Sequence, residues 1–195
     1  MIISVIIPTY KRHGDLIKCL DCLAPSKQIG MTHISAQASE EAVRYEIVVS
    51  DDGDASETID LIGHRSEWAR IVQGPRKGPA ANRNNAVAHS EGEWLAFTDD
   101  DCLPDTQWLQ SFLQAIREDT VVLEGKTITD EPYIGIFSQA PLNLEGGKLW
   151  SCNMLFKRTF FDEIGRFDEA FPYPHMEDVD LRDRVLQSGH EFDFI

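Results

Sequence analysis

Asp99, Asp100 and Asp101 stand in a row directly after the apolar run Trp94-Leu95-Ala96-Phe97-Thr98. Three carboxylates at the end of a buried strand repel one another and lose hydration, so the arrangement is costly unless cations neutralise it. Side chains alternate across an extended chain, so a strand continued through the triplet would point Asp99 and Asp101 one way and Asp100 the other. Two carboxylates at that spacing suit Mg2+ or Mn2+, hard cations commonly held by one or two carboxylates together with substrate phosphates. The alternative is a solvated acidic turn entering a helix, whose first N–H groups favour negative charge.

Two further segments carry chemistry. Arg76-Lys77-Gly78-Pro79-Ala80-Ala81-Asn82-Arg83-Asn84-Asn85 gathers cations and amides around glycine and proline, and is the best candidate for receiving phosphate; an ordinary solvated loop entering a helix is the competing reading. Glu177 and Asp178 follow Pro172 and Pro174 and precede a helical stripe of Leu181, Val185 and Leu186. A carboxylate pair there is either favourable helix-start electrostatics or a general base held between rigid flanks.

The elements that must position these residues alternate. Ile2 to Pro8 and Tyr45 to Ser50 read as strands buried on both faces, with Ile71-Val72 and Trp94 to Thr98 as further strands. Helices are expected at about Gly14 to Leu23, Glu57 to Trp68, Asn82 to Ser90 and Pro104 to Glu118. Pro25 to Glu41 is polar and weakly periodic, a loop; the longer stretch to Arg44 reads as a surface insertion. Strands alternating with helices imply an α/β fold with a mostly parallel central sheet flanked by helices on both faces. Ligands of such sheets sit beyond the strands' carboxyl ends, where Tyr10, Asp51-Asp52 and Asp99 to Asp101 all fall.

Composition narrows the function. A net charge of −15 argues against nucleic acid or an anionic membrane surface as the main partner. No run reaches the roughly 18 apolar residues of a membrane span, and Met1 to Pro8 reads as a strand, not a leader, so the expectation is a cytoplasmic chain. Among the four cysteines, Cys19 and Cys22 lie at helical spacing with Leu16, Ile17, Leu20 and Leu23, which favours core packing over metal or redox work.

Ser4-Val5-Ile6-Ile7-Pro8-Thr9-Tyr10-Lys11-Arg12, Glu46 to Gly53, Ala81-Asn82-Arg83-Asn84, Gly92 to Asp101, and Asn153-Met154-Leu155-Phe156 through Glu177-Asp178 resemble, in order and spacing, the family 2 glycosyltransferases. The resemblance implies the GT-A form of a Rossmann-like sheet, one domain over 1–195, and transfer of a sugar from a nucleotide-diphosphate sugar, UDP being the commonest choice. By the same resemblance Pro8, Thr9 and Tyr10 line the base pocket and Asp52 accepts from the base. Arg83 sits near base or diphosphate, Asp99 and Asp100 belong to the nucleotide site, and Asp101 with Asp99 holds Mn2+ or Mg2+. Asp178 takes the place of the catalytic base with Glu177 beside it, and Trp150 to Met154 approaches the donor sugar or acceptor.

Such a site implies single displacement with inversion onto a saccharide or lipid-linked acceptor, which would allow peripheral membrane contact. The chain departs from the family by ending at Ile195, where similar enzymes continue, so it is truncated or naturally short. Base and sugar selection would fall to pocket walls such as Thr127 to Trp150, which carry no decodable pattern. Two rival classes are a nucleotide-sugar binding domain without turnover and a nucleotidyltransferase. The latter needs a glycine-rich basic triphosphate loop, for which Lys11-Arg12-His13-Gly14 is too short.

Overall fold

The computed structural model describes residues 1–35, 43–129, 142–171 and 176–195. Parts of the Pro25–Arg44 and Thr127–Trp150 segments, and the whole of Pro172 to Pro174, fall outside them. In chain order the elements are β1 (Ile2–Thr9), α1 (His13–Leu23), β2 (Thr32–His33), β3 (Arg44–Asp51), α2 (Ala55–Ile62), a 3-10 turn (Gly63–Glu67), β4 (Ala69–Gln73), α3 (Pro79–Ala88) and β5 (Trp94–Thr98). Then follow α4 (Trp108–Ala115), β6 (Val122–Glu124), β7 (Asn153–Lys157), α5 (Arg158–Glu163), α6 (Glu177–Gln187) and β8 (Asp193–Phe194).

The strands form one sheet in the order β2-β3-β1-β5-β7-β6-β8, with β4 also paired to β3. β1 runs parallel to β3 and β5, β3 parallel to β2 and β4, and β6 parallel to β8; β7 is antiparallel to both its neighbours. The mostly parallel sheet expected from the alternating pattern is therefore present, with β7 reversed.

Alternation along the buried strands creates two cores. Ile3, Val5, Ile7, Ile47 and Val49 face Leu16, Cys19, Leu20 and Leu23 of α1 and Leu109 and Phe112 of α4. Ile6, Val48, Leu95 and Phe97 face α3, α5 and α6 through Ala80, Val87, Phe161, Leu181 and Val185. Apolar burial on both faces explains why β1, β3 and β5 read as continuous hydrophobic runs. Cys19 packs as expected, fully buried.

Helix boundaries differ from periodicity by one to six residues, the larger differences for local reasons. α3 begins at Pro79, not Asn82, because Gly78 at φ 97° turns the chain and proline's fixed φ suits the first helical position. α2 ends at Ile62, where Gly63 at φ 59° leads into the 3-10 turn. α4 is confined to Trp108–Ala115: the Asp105 side chain accepts from the Gln107 N–H at 2.9 Å in a turn before it, and Ile116 is extended after it. Among the described residues no helix is long and apolar enough to cross a membrane.

One buried carboxylate sets the entry to β5. Glu46 accepts from Ser4 Oγ at 2.6 Å and from the N–H groups of Glu91 and Gly92 at 2.5 and 3.2 Å. Gly92 is pressed so close that a Cβ there would lie 2.6 Å from the Ser4 backbone nitrogen. Gly92→Ala should therefore cost about 1–3 kcal/mol by overpacking, measured as a lower urea midpoint at unchanged slope.

Candidate functional site

The carboxyl ends of β1, β3 and β5 and the start of α3 enclose a cleft of about 570 Å³. Pro8, Thr9, Tyr10, Asp52, Arg83, Asp99 and Asp100, the seven residues assigned to the nucleotide side, all line it. Asp101, Glu177 and Asp178 are not among its lining residues. Tyr10 is 56% exposed, its ring offered to a planar partner beside the Lys11 ammonium at 5.2 Å.

The acidic triplet does not alternate as an extended strand would. β5 ends at Thr98, and the Cys102 N–H donates to the Asp99 carbonyl at 3.2 Å, closing a turn. Asp99 consequently faces Arg83 Nη2 at 2.6 Å, whereas Asp100 and Asp101 share Arg12, at 3.0 and 2.8 Å. Asp100 is buried and also accepts from Thr9 Oγ1 at 2.7 Å. Burial pushes its carboxyl up to about 6, against the hydrogen bond from Thr9 and the charge of Arg12. The expectation that Asp99 and Asp101 point together is thus corrected, because turn geometry replaces the strand.

The segment expected to receive phosphate lines the cleft through Arg76, Gly78, Pro79, Asn82 and Arg83, and its amides also bind the protein to itself. Asn82 Nδ2 donates to the carbonyls of Thr9 and Ser50 at 3.2 and 2.9 Å. Asn84 exchanges hydrogen bonds with the Phe167 backbone at 2.9 and 3.2 Å, and Asn85 reaches Ser50 Oγ and the Gln73 carbonyl at 2.7 and 3.0 Å. Arg83 lies among them fully buried, with Nη1 3.0 Å from Glu177, Nη2 on Asp99 and the Phe167 ring 5.5 Å away. Burial opposes its charge, but Asp99 and Glu177 more than offset that and raise its pKa. Asp52 accepts from the Arg76 and Gly78 N–H groups at 2.8 and 3.1 Å, which fastens this basic turn to the cleft wall.

Glu177 and Asp178 separate in role at the first turn of α6. Glu177 is buried on Arg83, so its carboxylate is committed to the ion pair. Asp178 is half-buried and accepts from the Val179 N–H at 2.8 Å, which leaves its second oxygen with lone pairs for a proton. In the Trp150–Met154 segment, Asn153 accepts from Trp108 Nε1 at 2.8 Å and donates to the Lys126 carbonyl at 2.9 Å, a bracing role.

Among the described residues no three His, Cys, Asp or Glu side chains form a metal cage. The donor chemistry fits a cation nonetheless: the Asp101 side chain is 44% exposed and its partner Arg12 52% exposed, so one hard carboxylate can be released to share a cation with substrate phosphates. In the sequence Arg12 stands only as the last residue of the Ser4–Arg12 run, with nothing in its spacing that gives it a role. Its signal was the adjacency of the turn after β1 to an acidic cluster that needed compensating charge.

Residues 4–138 match the model of glycosyl transferase family 2. The chain belongs to that family. Escherichia coli WfaP, a UDP-Glc:alpha-D-GlcNAc-diphosphoundecaprenol beta-1,3-glucosyltransferase, is 26% identical over 162 residues, covering 80% of this chain and 64% of WfaP. S. aureus TarS 1–349, solved in complex with UDP, superposes with a TM-score of 0.71 at 21% identity, over 100% of this chain and 58% of that one. The mannosyltransferase PcManGT from Pyrobaculum calidifontis, solved with GDP-Man and Mn2+, gives a TM-score of 0.67 at 17% identity, over 99% and 54%. These likenesses give the family 2 chain the GT-A fold. The chain spans between 34% and 64% of the length of the first curated relatives it matches.

Two outcomes are expected. Arg83→Met should destabilise the fold by about 3–5 kcal/mol, because it strands carboxylates that are buried or partly so, and Arg83→Lys should recover only part, since an ammonium cannot fork to both; chemical denaturation measures each. Asp100 holds its proton to higher pH in the fold than in the unfolded chain, so its stabilising contribution is present below about 4 and is lost as pH rises through about 6. The stability of the parent relative to Asp100→Asn should fall across that window, and a flat difference would contradict the burial argument.

Proposed function

We propose that this family 2 domain moves a sugar from a nucleoside-diphosphate donor, UDP-linked by preference, to an acceptor hydroxyl with inversion at the anomeric carbon. The observation that carries this reading is the gathering of Pro8, Thr9, Tyr10, Asp52, Arg83, Asp99 and Asp100 in one cleft at the carboxyl ends of β1, β3 and β5. The donor named for WfaP and the UDP bound to TarS support UDP. The diphosphoundecaprenol-linked acceptor in WfaP's name supports a saccharide on a lipid carrier, and with it peripheral membrane contact from the cytoplasmic side.

In this reading Tyr10 stacks on the base and Asp52 accepts from it while still holding the Arg76–Gly78 turn. Asp99 meets the ribose while paired with Arg83, and Asp101 would hold Mg2+ or Mn2+ together with the donor's phosphates. When bound, that cation supplies Lewis-acid stabilisation of the charge developing on the departing diphosphate. Asp178 takes the proton of the acceptor hydroxyl as its oxygen forms a bond to the anomeric carbon and the bond to the phosphate oxygen breaks. Arg83 and Glu177 fix the first turn of α6 and so aim Asp178, which brings acceptor and base together before reaction.

Calorimetric titration with UDP, GDP and dTDP, each with Mn2+ and again with EDTA, tests the donor site. One nucleotide should bind, and only with metal. Asp101→Asn should weaken that binding by about tenfold or more. Asp178→Asn should leave it within about twofold and lower the transfer rate by roughly 10²–10⁴. Loss of binding and transfer together in the Asp178 variant would count against its role as base.

A further inference from the structure

We propose that Arg12 is a gate that couples cation binding at Asp101 to occupation of the cleft by a nucleoside diphosphate; the inference rests on the donor-site reading above. Arg12 is the residue before α1, where its carbonyl accepts from the Asp15 and Leu16 N–H groups at 3.1 and 3.0 Å. Its backbone is fixed by the helix while its side chain stays 52% exposed on the cleft wall. The guanidinium spans two carboxylates, Nη1 on Asp100 at 3.0 Å and Nη2 on Asp101 at 2.8 Å. Asp100 has Thr9 as a second partner. Asp101 depends on Arg12 for its charge compensation, so the arginine stands where a divalent cation would act.

The other two arginines of the cleft cannot exchange in this way. Arg83 is buried between Asp99 and Glu177, and Arg76 directs its guanidinium at the Gly53 carbonyl at 3.1 Å. A diphosphate offers Arg12 an alternative partner, since the guanidinium fork matches phosphate oxygens. Transfer of Arg12 from Asp101 to phosphate exposes the carboxylate for the cation, and the two bindings become mutually reinforcing. Without the nucleotide, Arg12 holds the site closed to metal and keeps the acidic turn neutralised.

The test is Mn2+ binding to the full chain, read by the free-ion EPR signal, with and without the nucleoside diphosphate that calorimetry selects. The parent should bind Mn2+ weakly alone and more tightly with nucleotide. Arg12→Gln should bind Mn2+ alone about two- to fivefold more tightly, the scale of a half-exposed ion pair, and show a correspondingly smaller gain on adding nucleotide. Arg12→Lys, a point charge that cannot span both carboxylates, should fall between them. Circular dichroism confirms that the variants are folded, and Asp101→Asn should abolish the tight Mn2+ signal in every background. An equal change with and without nucleotide would mean simple loss of a positive charge and would overturn the gate, as would no change. If the parent binds none of UDP, GDP or dTDP with Mn2+, the donor-site reading itself falls; normal Mn2+-dependent binding untouched by the Arg12 variants removes the gate alone.

Discussion

The buried guanidinium of Arg83 is the interaction on which the rest of the site depends. It joins Asp99, at the end of β5, to Glu177, at the start of α6, two positions 78 residues apart in the chain. An arginine taken wholly out of water is tolerable only when both ends of its fork meet carboxylates, and carboxylates in such a place are tolerable only with the arginine present. The group therefore acts as a geometric lock: the strand end that lines the cleft and the helix that carries Asp178 are set relative to one another by a single charged group. The Phe167 ring beside it and the Asn84 bonds to the Phe167 backbone hold the Phe167 segment against α3, the helix that carries Arg83.

Compensation of negative charge is the wider rule. With 33 acidic and 18 basic residues, the chain cannot pair every carboxylate with a cation. Arg12 and Arg83 stand where carboxylates crowd, on the triplet after β5 and at the start of α6, while the buried Glu46 and Glu124 are met chiefly by backbone N–H groups. Glu46 holds the turn into β5 this way, and Glu124 accepts from the Gly147, Lys148 and Leu149 N–H groups at 2.6, 2.8 and 2.5 Å together with Asn143 Nδ2 at 2.7 Å. Convergent N–H donors stabilise a buried carboxylate, and Glu46 has Arg70 Nη2 at 3.9 Å besides. Each such carboxylate gathers a loop that has little apolar material to hold it.

Much of the architecture was legible before any coordinates. The β-branched runs Ile2–Pro8 and Tyr45–Ser50 and the compact Trp94–Thr98 read as strands, and the three-to-four spacing of Leu16, Cys19, Leu20 and Leu23 reads as one helix face, as β1, β3, β5 and α1 are. From strand and helix alternation followed the sheet, and from the sheet followed the place of the cleft, because carboxyl ends of parallel strands share one edge. Helix limits were less legible, since caps such as Gly78-Pro79 and the Asp105 turn act through backbone angles that periodicity does not register.

The sequence by itself determined the residue types at the site and their convergence on one sheet edge, because both depend on local pattern and on the handed, repetitive geometry of α/β units. Only the tertiary structure decided what each side chain does there. Within the Arg76–Asn85 stretch, Asn82, Arg83, Asn84 and Asn85 form cross-links within the protein; Glu177 and Asp178, adjacent in sequence, divide into a buried ion-pair partner and a carboxylate with acceptor capacity to spare. Arg12 gained its place opposite Asp100 and Asp101 from the closure of a turn after Thr98. The physical reason is the same in each case: polar side chains act through partners distant in sequence, and a partner's distance and burial exist only once the chain has folded.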